Sequence, residues 1–553
     1  MTKQQTALNS LWRKLYSGTP YSSSQVPPST MLALFREAVL RNESGPAIHY
    51  LDATISYAEL DRLSDAFACI LARDGFAAGD RIALFMQNIP QFLVACIAAW
   101  KCGGIVVPLS PLHRSHELGH ILPDCRPTSL VVQDDLATHV HAAIAGISDY
   151  APRVYTTSPL RMQSRDDPRV LAGLVTGEGP DLLDLIEEAR AAGSVPPLPS
   201  LDPQSPALIV YTSGTTGEPK GAIITHDNGW WNAGTAAQWF GLAPGDGPVF
   251  GMAPLFHITG LIGGIGMAWH LAEALVIMYR FHPEVALEAM MERRPAFAVG
   301  AITAYMAMMN CPASSRDHFA SFKAMITGGA PTAPAVLEAF REHSGKYLHN
   351  GYGLTETTAG LTTVPMGREA PTDPASGTLS VGIPVFDAGA WIADDDGNRL
   401  GASEVGEIIL TGRSVSPGYW NRLDATAESM RADGFRTGDV GFIDEAGWVY
   451  VVDRKKDMIN ASGFKVWPRE VEDVLYTHPE IREAAVVGVA DAYRGETVRA
   501  VVSLKQGATL DSAALIDWCR ERMAVYKVPK QVLVMDELPK NPAGKILRRE
   551  LRD

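Results

Sequence analysis

Between Arg81 and Leu109 the chain reads strand, helix, strand: RIALF, the apolar run from Pro90 to Lys101, then GIVVPL from Gly104. Two strands joined through a helix are brought back side by side in the same direction, so the pattern predicts a parallel α/β layer. Helices are expected before it, over Thr30 to Arg41 with Ser29 as N-cap and over Tyr57 to Arg73. From Pro152 to Pro206 charges, glycine and proline rise, ending in SVPPLPSLDPQSP, which reads as a surface insertion and a linker. Ala207 to Tyr211 is the next strand, and strand and helix patterns alternate to about residue 390. Glu407 to Leu410 and Trp448 to Val452 read as strands of a β-rich portion.

After Asp453 comes a charged stretch, DRKKD, and then a new compact pattern. It holds a helix over Pro468 to Thr477, strands over Glu483 to Val489 and Val498 to Leu504, and a helix over Ser512 to Met523. A small separate α/β domain is expected there, with the charged run as a hinge. The fold class is therefore α/β. Residues 1–453 form a large multi-sheet N-terminal domain and residues 454–553 a small mobile C-terminal one.

The chain has 553 residues, of which 46% are hydrophobic and 20% charged, enough for a buried core and against wholesale disorder. Its formal charge of −14 argues against a general nucleic-acid binder, which wants a basic face. The six cysteines form no CxxC pair and read as small buried hydrophobes. The N-terminus shows no apolar signal region, and Ile258 to Trp269 is too short to span a bilayer, so a cytoplasmic enzyme is expected.

The stretch YTSGTTGEPKG, Tyr211 to Gly221, interleaves Gly214 and Gly217 with Thr212, Ser213, Thr215 and Thr216, and Lys220 follows. Glycine lets successive N–H groups converge on an anion, the hydroxyls add donors, and the lysine adds positive charge. That is the composition of a polyphosphate cradle. It is not the P-loop G-x-x-x-x-G-K-[ST], and the AIITH that follows reads as a strand rather than a helix.

This loop resembles the signature of the adenylate-forming superfamily of acyl-CoA synthetases, coumarate-CoA-type ligases, luciferases and peptide-synthetase adenylation domains. NGYGLTET (Asn350–Thr357), FRTGDV (Phe435–Val440), DRKKDMINASGFKVWPRE (Asp453–Glu470) and PKNPAGKILRREL (Pro539–Leu551) follow in that family's order. The resemblance implies ATP, Mg²⁺ and CoA as ligands. Thr212 to Gly217 and Lys220 would hold the β- and γ-phosphates, Thr355 would touch the α-phosphate, and Glu356 would position Mg²⁺. Tyr352 would lie against adenine, with Gly329, Ala330, Pro331, Asn350, Gly351 and Gly353 around it. Asp439 would take the ribose, with Arg454 as its partner on the ribose or phosphate, and Lys545 would reach from the small domain to the carboxylate and α-phosphate. Lys456 matches the hinge and Gly463 the glycine beside the pantetheine tunnel. Lys465 and Asn460 depart from what luciferases carry.

In amino-acid-activating members an aspartate follows the phenylalanine of the fourth core motif and pairs with the substrate amine. His257 stands there in PLFH. Its neighbours Ile258, Leu261, Ile265, Met267, Ile302 and Met306 are apolar, and Gly260, Gly263, Gly264 and Gly266 are expected to leave room for an acyl chain. His257, Gly260, Leu261, Gly264, Ile302 and Met306 are thus the candidate substrate residues. No carrier-protein segment follows Lys545. The resulting expectation is a free-standing fatty-acyl-CoA ligase acting on a small carboxylic acid, ATP and CoA, with no nucleic-acid partner and a homodimer left open. An aryl-CoA ligase, a fatty-acyl-AMP ligase and a non-catalytic adenylate-binding regulator are the alternatives.

Overall fold

The strand–helix–strand unit lies in the middle of a six-stranded sheet in the computed structural model of the protein. The structure describes residues 3–16, 26–174, 177, 179–193, 196, 199–212, 219–330, 332–454, 457–461, 464–491, 495–541 and 544–552; for 3–7, 454, 460, 461, 464, 465 and 495 it describes the backbone alone. Arg81–Phe85 and Ile105–Leu109 pair in parallel, as the crossover helix Pro90–Lys101 requires. That helix is buried on every side, which is why its sequence carries almost no polar face.

Three local expectations change. The helix expected over Thr30 to Arg41 runs Met31–Asn42, and its cap is Thr30, whose hydroxyl accepts from the Ala33 N–H at 3.0 Å. Ser29 instead donates its own backbone N–H to Asp227. Residues 152–206 are not a mere insertion. They supply the edge strand Arg153–Thr157 and the helix Leu182–Ala191, whose Leu182, Leu183 and Ile186 are buried. Short buried runs between polar stretches conceal both elements from a composition argument. Third, Ile258 to Trp269 begins as one long π-helical segment, Thr259–Gly266, before an ordinary helical turn.

Among the described residues there are four sheets. A nine-stranded sheet is parallel in its centre, where Phe297–Gly300, Ala324–Thr327 and Leu348–Leu354 lie side by side. One continuous core joins it to the six-stranded sheet. A five-stranded antiparallel sheet follows and ends in Val449–Arg454. The last sheet starts at Ile459–Ala461 and has a core of its own around Val466, Val486, Ala500 and Leu515.

The C-terminal residues also touch the rest. Arg469 donates to the Thr332 carbonyl at 2.7 Å, and a Cβ added at Gly544 would stand 2.6 Å from the Thr303 hydroxyl. Arg548 bridges Asp453 at 2.9 Å and Glu472 at 2.7 Å, tying the segment that follows Lys545 to the end of Val449–Arg454. No helix among the described residues is long and apolar enough to cross a membrane. All six cysteines are free, and five are buried.

Candidate active site

Strand ends converge on one region. The hairpin Pro206–Thr212 and Lys220–Thr225 sets Thr212 opposite Lys220 and Tyr211 opposite Gly221. Ser213, Gly214, Thr215, Thr216 and Gly217 lie outside the described residues, but their two stems are fixed by this pairing. Lys220 points over the ring of Tyr419, with its Nζ 5.4 Å from the centroid. The Tyr419 hydroxyl donates to Glu356 Oε1 at 2.7 Å. Burial, then the charge of Glu356, pushes the Tyr419 phenol upward, so it remains a donor.

Glu356 is held on a strained turn. Thr355–Thr357 is a single 3-10 turn, and the next residues, Thr358 and Ala359, both take left-handed φ of 55° and 83°. Non-glycine residues do so at a cost of order 1–3 kcal/mol each. The Thr358 hydroxyl donates to Ser414 O at 2.7 Å, and Ser416 N–H donates to Glu356 O at 2.7 Å. Glycine is required at Gly353, because a Cβ there would lie 2.0 Å from Ala359 O. Glu356 itself is 8% exposed. Its hard, oriented oxygens suit Mg²⁺, and a phosphate facing Lys220 would sit against them.

The nucleoside end is equally built. Tyr352 donates its hydroxyl to Asp439 Oδ2 at 2.6 Å, so the residues expected at adenine and ribose are joined. Asp439 lies opposite Arg454 in the antiparallel register. Asn350 is buried and donates to Ser380 O, so its amide braces the strand rather than standing open. Gly329 has φ of +77° and nothing within 4 Å of where a Cβ would stand, while Gly351 would bring a Cβ to 3.2 Å from Thr362 O. Ala330 follows Gly329 at the end of Ala324–Thr327. Pro331, Lys456 and Gly463 lie outside the described residues, as does the side chain of Arg454.

At the other end, Lys545 is close enough to His257 for its charge to act on the imidazole. Burial first, and that charge second, lower the His257 pKa to about 4. The ring is neutral at pH 7, and its Nδ1 faces the Thr259 N–H at 3.2 Å, which puts the proton on Nε2. Gly544 meets Ala301 and Thr303, at the start of the helix Ile302–Met309. The structure therefore brings Lys545, His257 and the helix of Ile302 and Met306 together.

The glycines of the π-helical segment do something different from what the sequence suggests. A Cβ at Gly260 would lie 2.1 Å from Pro254 O, at Gly263 2.7 Å from Val299 Cγ1, and at Gly266 3.1 Å from Ala233. These three are close-packing glycines, not the walls of an open cavity. Gly264 alone meets only an ordinary contact, Leu275 at 3.7 Å. Ile258, Leu261, Ile265, Met267 and Ile302 are all core residues, and Met306 is packed against that core. Gly360, four residues past Glu356, is exposed, and a Cβ there would have nothing within 4 Å. Sequence reasoning missed both Gly360 and Tyr419. The one available signal was the position of Gly360 just beyond NGYGLTET.

The sequence matches the family described as AMP-binding enzyme over residues 35–420, and the AMP-binding enzyme C-terminal domain over residues 470–545. The chain belongs to the AMP-binding enzyme family. Particular relatives differ in their named acids. A long-chain-fatty-acid–CoA ligase of Bacillus subtilis (strain 168) is 32% identical, with 95% of this chain and 94% of that one covered. A 2-succinylbenzoate–CoA ligase of Geobacillus kaustophilus (strain HTA426) is 35% identical over 90% of this chain and 93% of its own. The ATP-bound crystal structure of MatB from Rhodopseudomonas palustris superposes with a TM-score of 0.82 at 29% identity, covering 94% of this chain and 98% of that one.

Proposed function

We propose that the protein is an ATP-dependent, AMP-forming acyl-CoA ligase that acts on medium to long aliphatic carboxylic acids. In the first half reaction the acid's carboxylate attacks the α-phosphorus of ATP, forming acyl-adenylate and releasing pyrophosphate. In the second the CoA thiol attacks the acyl carbon, and AMP leaves. The observation that carries this reading is the polar chain in which Lys220 stands over Tyr419 and Tyr419 donates to Glu356; the influence of Lys545 on His257 supports it from the C-terminal residues.

The chain's own residues supply the charge and the aim. Lys220 and the loop 212–217 hold the outer phosphates, and Thr355 and Lys545 stabilise charge that builds on the α-phosphate as the carboxylate attacks. Tyr352 lies against adenine, in company with Gly329, Ala330, Pro331, Asn350, Gly351 and Gly353. Asp439 accepts from the ribose hydroxyls, with Arg454 opposite it. Mg²⁺ on Glu356 would neutralise phosphate charge when bound. We assign the division into domains to Asp453/Arg454, with Lys456 as hinge and Gly463 beside the CoA thiol. Support comes from the change of sheet between Val449–Arg454 and Ile459–Ala461.

Three features support an aliphatic acid. No carboxylate stands at 257 to hold a substrate amine, the residues around Leu261, Ile302 and Met306 are apolar, and a side chain at the exposed Gly360 would meet nothing that closes this side. An aryl-CoA ligase is the second reading, favoured by the closed packing of Gly260, Gly263 and Gly266, which limits depth on that side. The test is kcat/KM over acids from C4 to C16 together with benzoate and coumarate, with and without CoA. Each buried methylene contributes about 0.8 kcal/mol, so specificity should climb with chain length. A flat series with a sharp optimum on an aromatic acid would select the second reading. Pyrophosphate release that does not respond to CoA would point to an acyl-AMP ligase.

A further inference from the structure

Asp124 stands one residue before the end of the helix Ser115–Cys125. Backbone carbonyls carry the negative end of the helix dipole there, so a carboxylate is disfavoured by its own helix. Its side chain is only 11% exposed, which removes most of the water that would otherwise screen it. A group so placed has to be held by partners, and its partners all come from the phosphate end of the site.

The Tyr211 hydroxyl donates to Asp124 Oδ2 at 2.5 Å. Arg422 Nη1 lies 3.8 Å from Oδ1, and Asn421 Nδ2 donates to the Asp124 carbonyl at 2.9 Å. Tyr211 immediately precedes Thr212 and the hydroxyl-rich loop. Its ring lies across Gly221, where an added Cβ would stand 3.1 Å from Cζ, so glycine is what permits the ring this path. Asn421 and Arg422 follow Tyr419 and Trp420 directly. That turn is pinned to the same hairpin, since Trp420 N–H donates to Gly221 O at 2.7 Å. The Asp124 carboxylate therefore faces both the strand that ends at Thr212, through Tyr211, and the turn that carries Tyr419 to Glu356, through Arg422, while the Asp124 backbone carbonyl takes Asn421.

We propose that Asp124 is a positioning residue for ATP: through Tyr211 it fixes Thr212 and, across the strand pair, Lys220, and through Arg422 it fixes the turn that carries Tyr419 to Glu356. The proposal rests on the ligase reading. Asp124 does not reach the nucleotide. It sets the gap between Lys220 and Glu356, and the polyphosphate has to fit that gap.

The experiment measures ATP affinity of the full chain by calorimetry, and KM for ATP, acid and CoA separately. Asp124→Ala should weaken ATP binding and raise KM for ATP about ten-fold, the scale of a lost hydrogen bond to a charged group. The KM values for acid and CoA should not move. Tyr211→Phe should weaken ATP binding in the same direction, and the double variant should be no worse than Asp124→Ala alone, because the Tyr211 link is already lost in that variant. Asp124→Asn, which retains an acceptor for Tyr211, should recover most of the affinity. If Asp124→Ala fails to fold, Tyr211→Phe carries the test, since its ring packing is kept. Unchanged ATP affinity in Tyr211→Phe, or an equal rise of all three KM values, overturns the proposal and leaves the ligase reading standing. A wild-type chain that binds no ATP overturns both.

Discussion

The two ends of the proposed site are built by different physics. The nucleotide end is a set of polar side chains joined pairwise: Lys220 over Tyr419, Tyr419 on Glu356, Tyr352 on Asp439. Each group arrives from a separate strand or turn, and its partner fixes its direction before any ligand enters. The acyl end is a π-helical segment pressed against Pro254, Val299 and Ala233, where three glycines are present because nothing larger fits. Charge that builds in a transition state needs fixed dipoles, whereas a hydrocarbon needs only an apolar surface of sufficient length. Loss of a polar group at the first end should therefore cost rate, while a change of volume at the second should cost stability or alter preference.

The largest effect is expected at Lys545. Lys545→Ala should lower acyl-adenylate formation by at least about 100-fold, the scale of removing one preorganised donor from a transition state. Thioester formation from supplied acyl-adenylate should largely survive, since its chemistry involves the thiol and the acyl carbon. Stopped assays of each half reaction check this. Equal loss in both would mean that Lys545 contributes to the shape of the site rather than to its charge.

Gly260 tests the other end. Gly260→Ala should destabilise the fold by about 2 kcal/mol, because the new Cβ overlaps a backbone carbonyl and cannot be relieved by a rotamer change. The acid preference of the folded fraction should not change. Gly360→Leu should do the reverse, with little change in denaturant midpoint and a clear shift toward shorter acids. If Gly260→Ala instead shifted chain length at unchanged stability, the π-helical segment would be a pocket wall after all.

This contrast also explains what was legible. The polar residues of the proposed nucleotide end could be picked out because they come in strings, NGYGLTET and FRTGDV, that resemble family motifs, and the structure joins Tyr352 of the first to Asp439 of the second. Tyr419 was not read: it lies 63 residues from Glu356, and nothing in SPGYWNR signals that its hydroxyl is aimed at a carboxylate. The acyl end misled for a physical reason. A glycine that opens space and a glycine that admits a neighbour look the same in sequence, and only the contact made by the missing Cβ separates Gly360 from Gly260. The same ambiguity hid the strand Arg153–Thr157 and the helix Leu182–Ala191 inside a polar stretch, where a few apolar residues suffice at a sheet edge.

A smaller effect is expected at Tyr419. Tyr419→Phe keeps the ring under Lys220 but leaves Glu356 Oε1 without this donor. Adenylation should fall about ten-fold, in line with a hydrogen bond to a charged group, and the Mg²⁺ concentration for half-maximal rate should change with it. An unaffected rate would mean that Glu356 is held by its strained turn alone.

The smallest effect lies where the two ends meet. Burial is the first cause of the lowered His257 pKa, and Lys545 is the second. Lys545→Ala should therefore raise the His257 pKa from about 4 yet leave it below the ordinary 6.5, because desolvation remains. Titration of labelled histidine by NMR in both proteins measures this. Stability depends on pH through the same depression. The unfolded ring takes up its proton first as pH falls, so the stability that a neutral His257 contributes is complete above about 6.5. It is lost progressively below that, as pH falls through about 4. A wild-type His257 that titrated near 6.5 would be a ring in water. The influence of Lys545 on His257 would then be absent, and the proposed contact between Lys545 and the acyl end would lose its support.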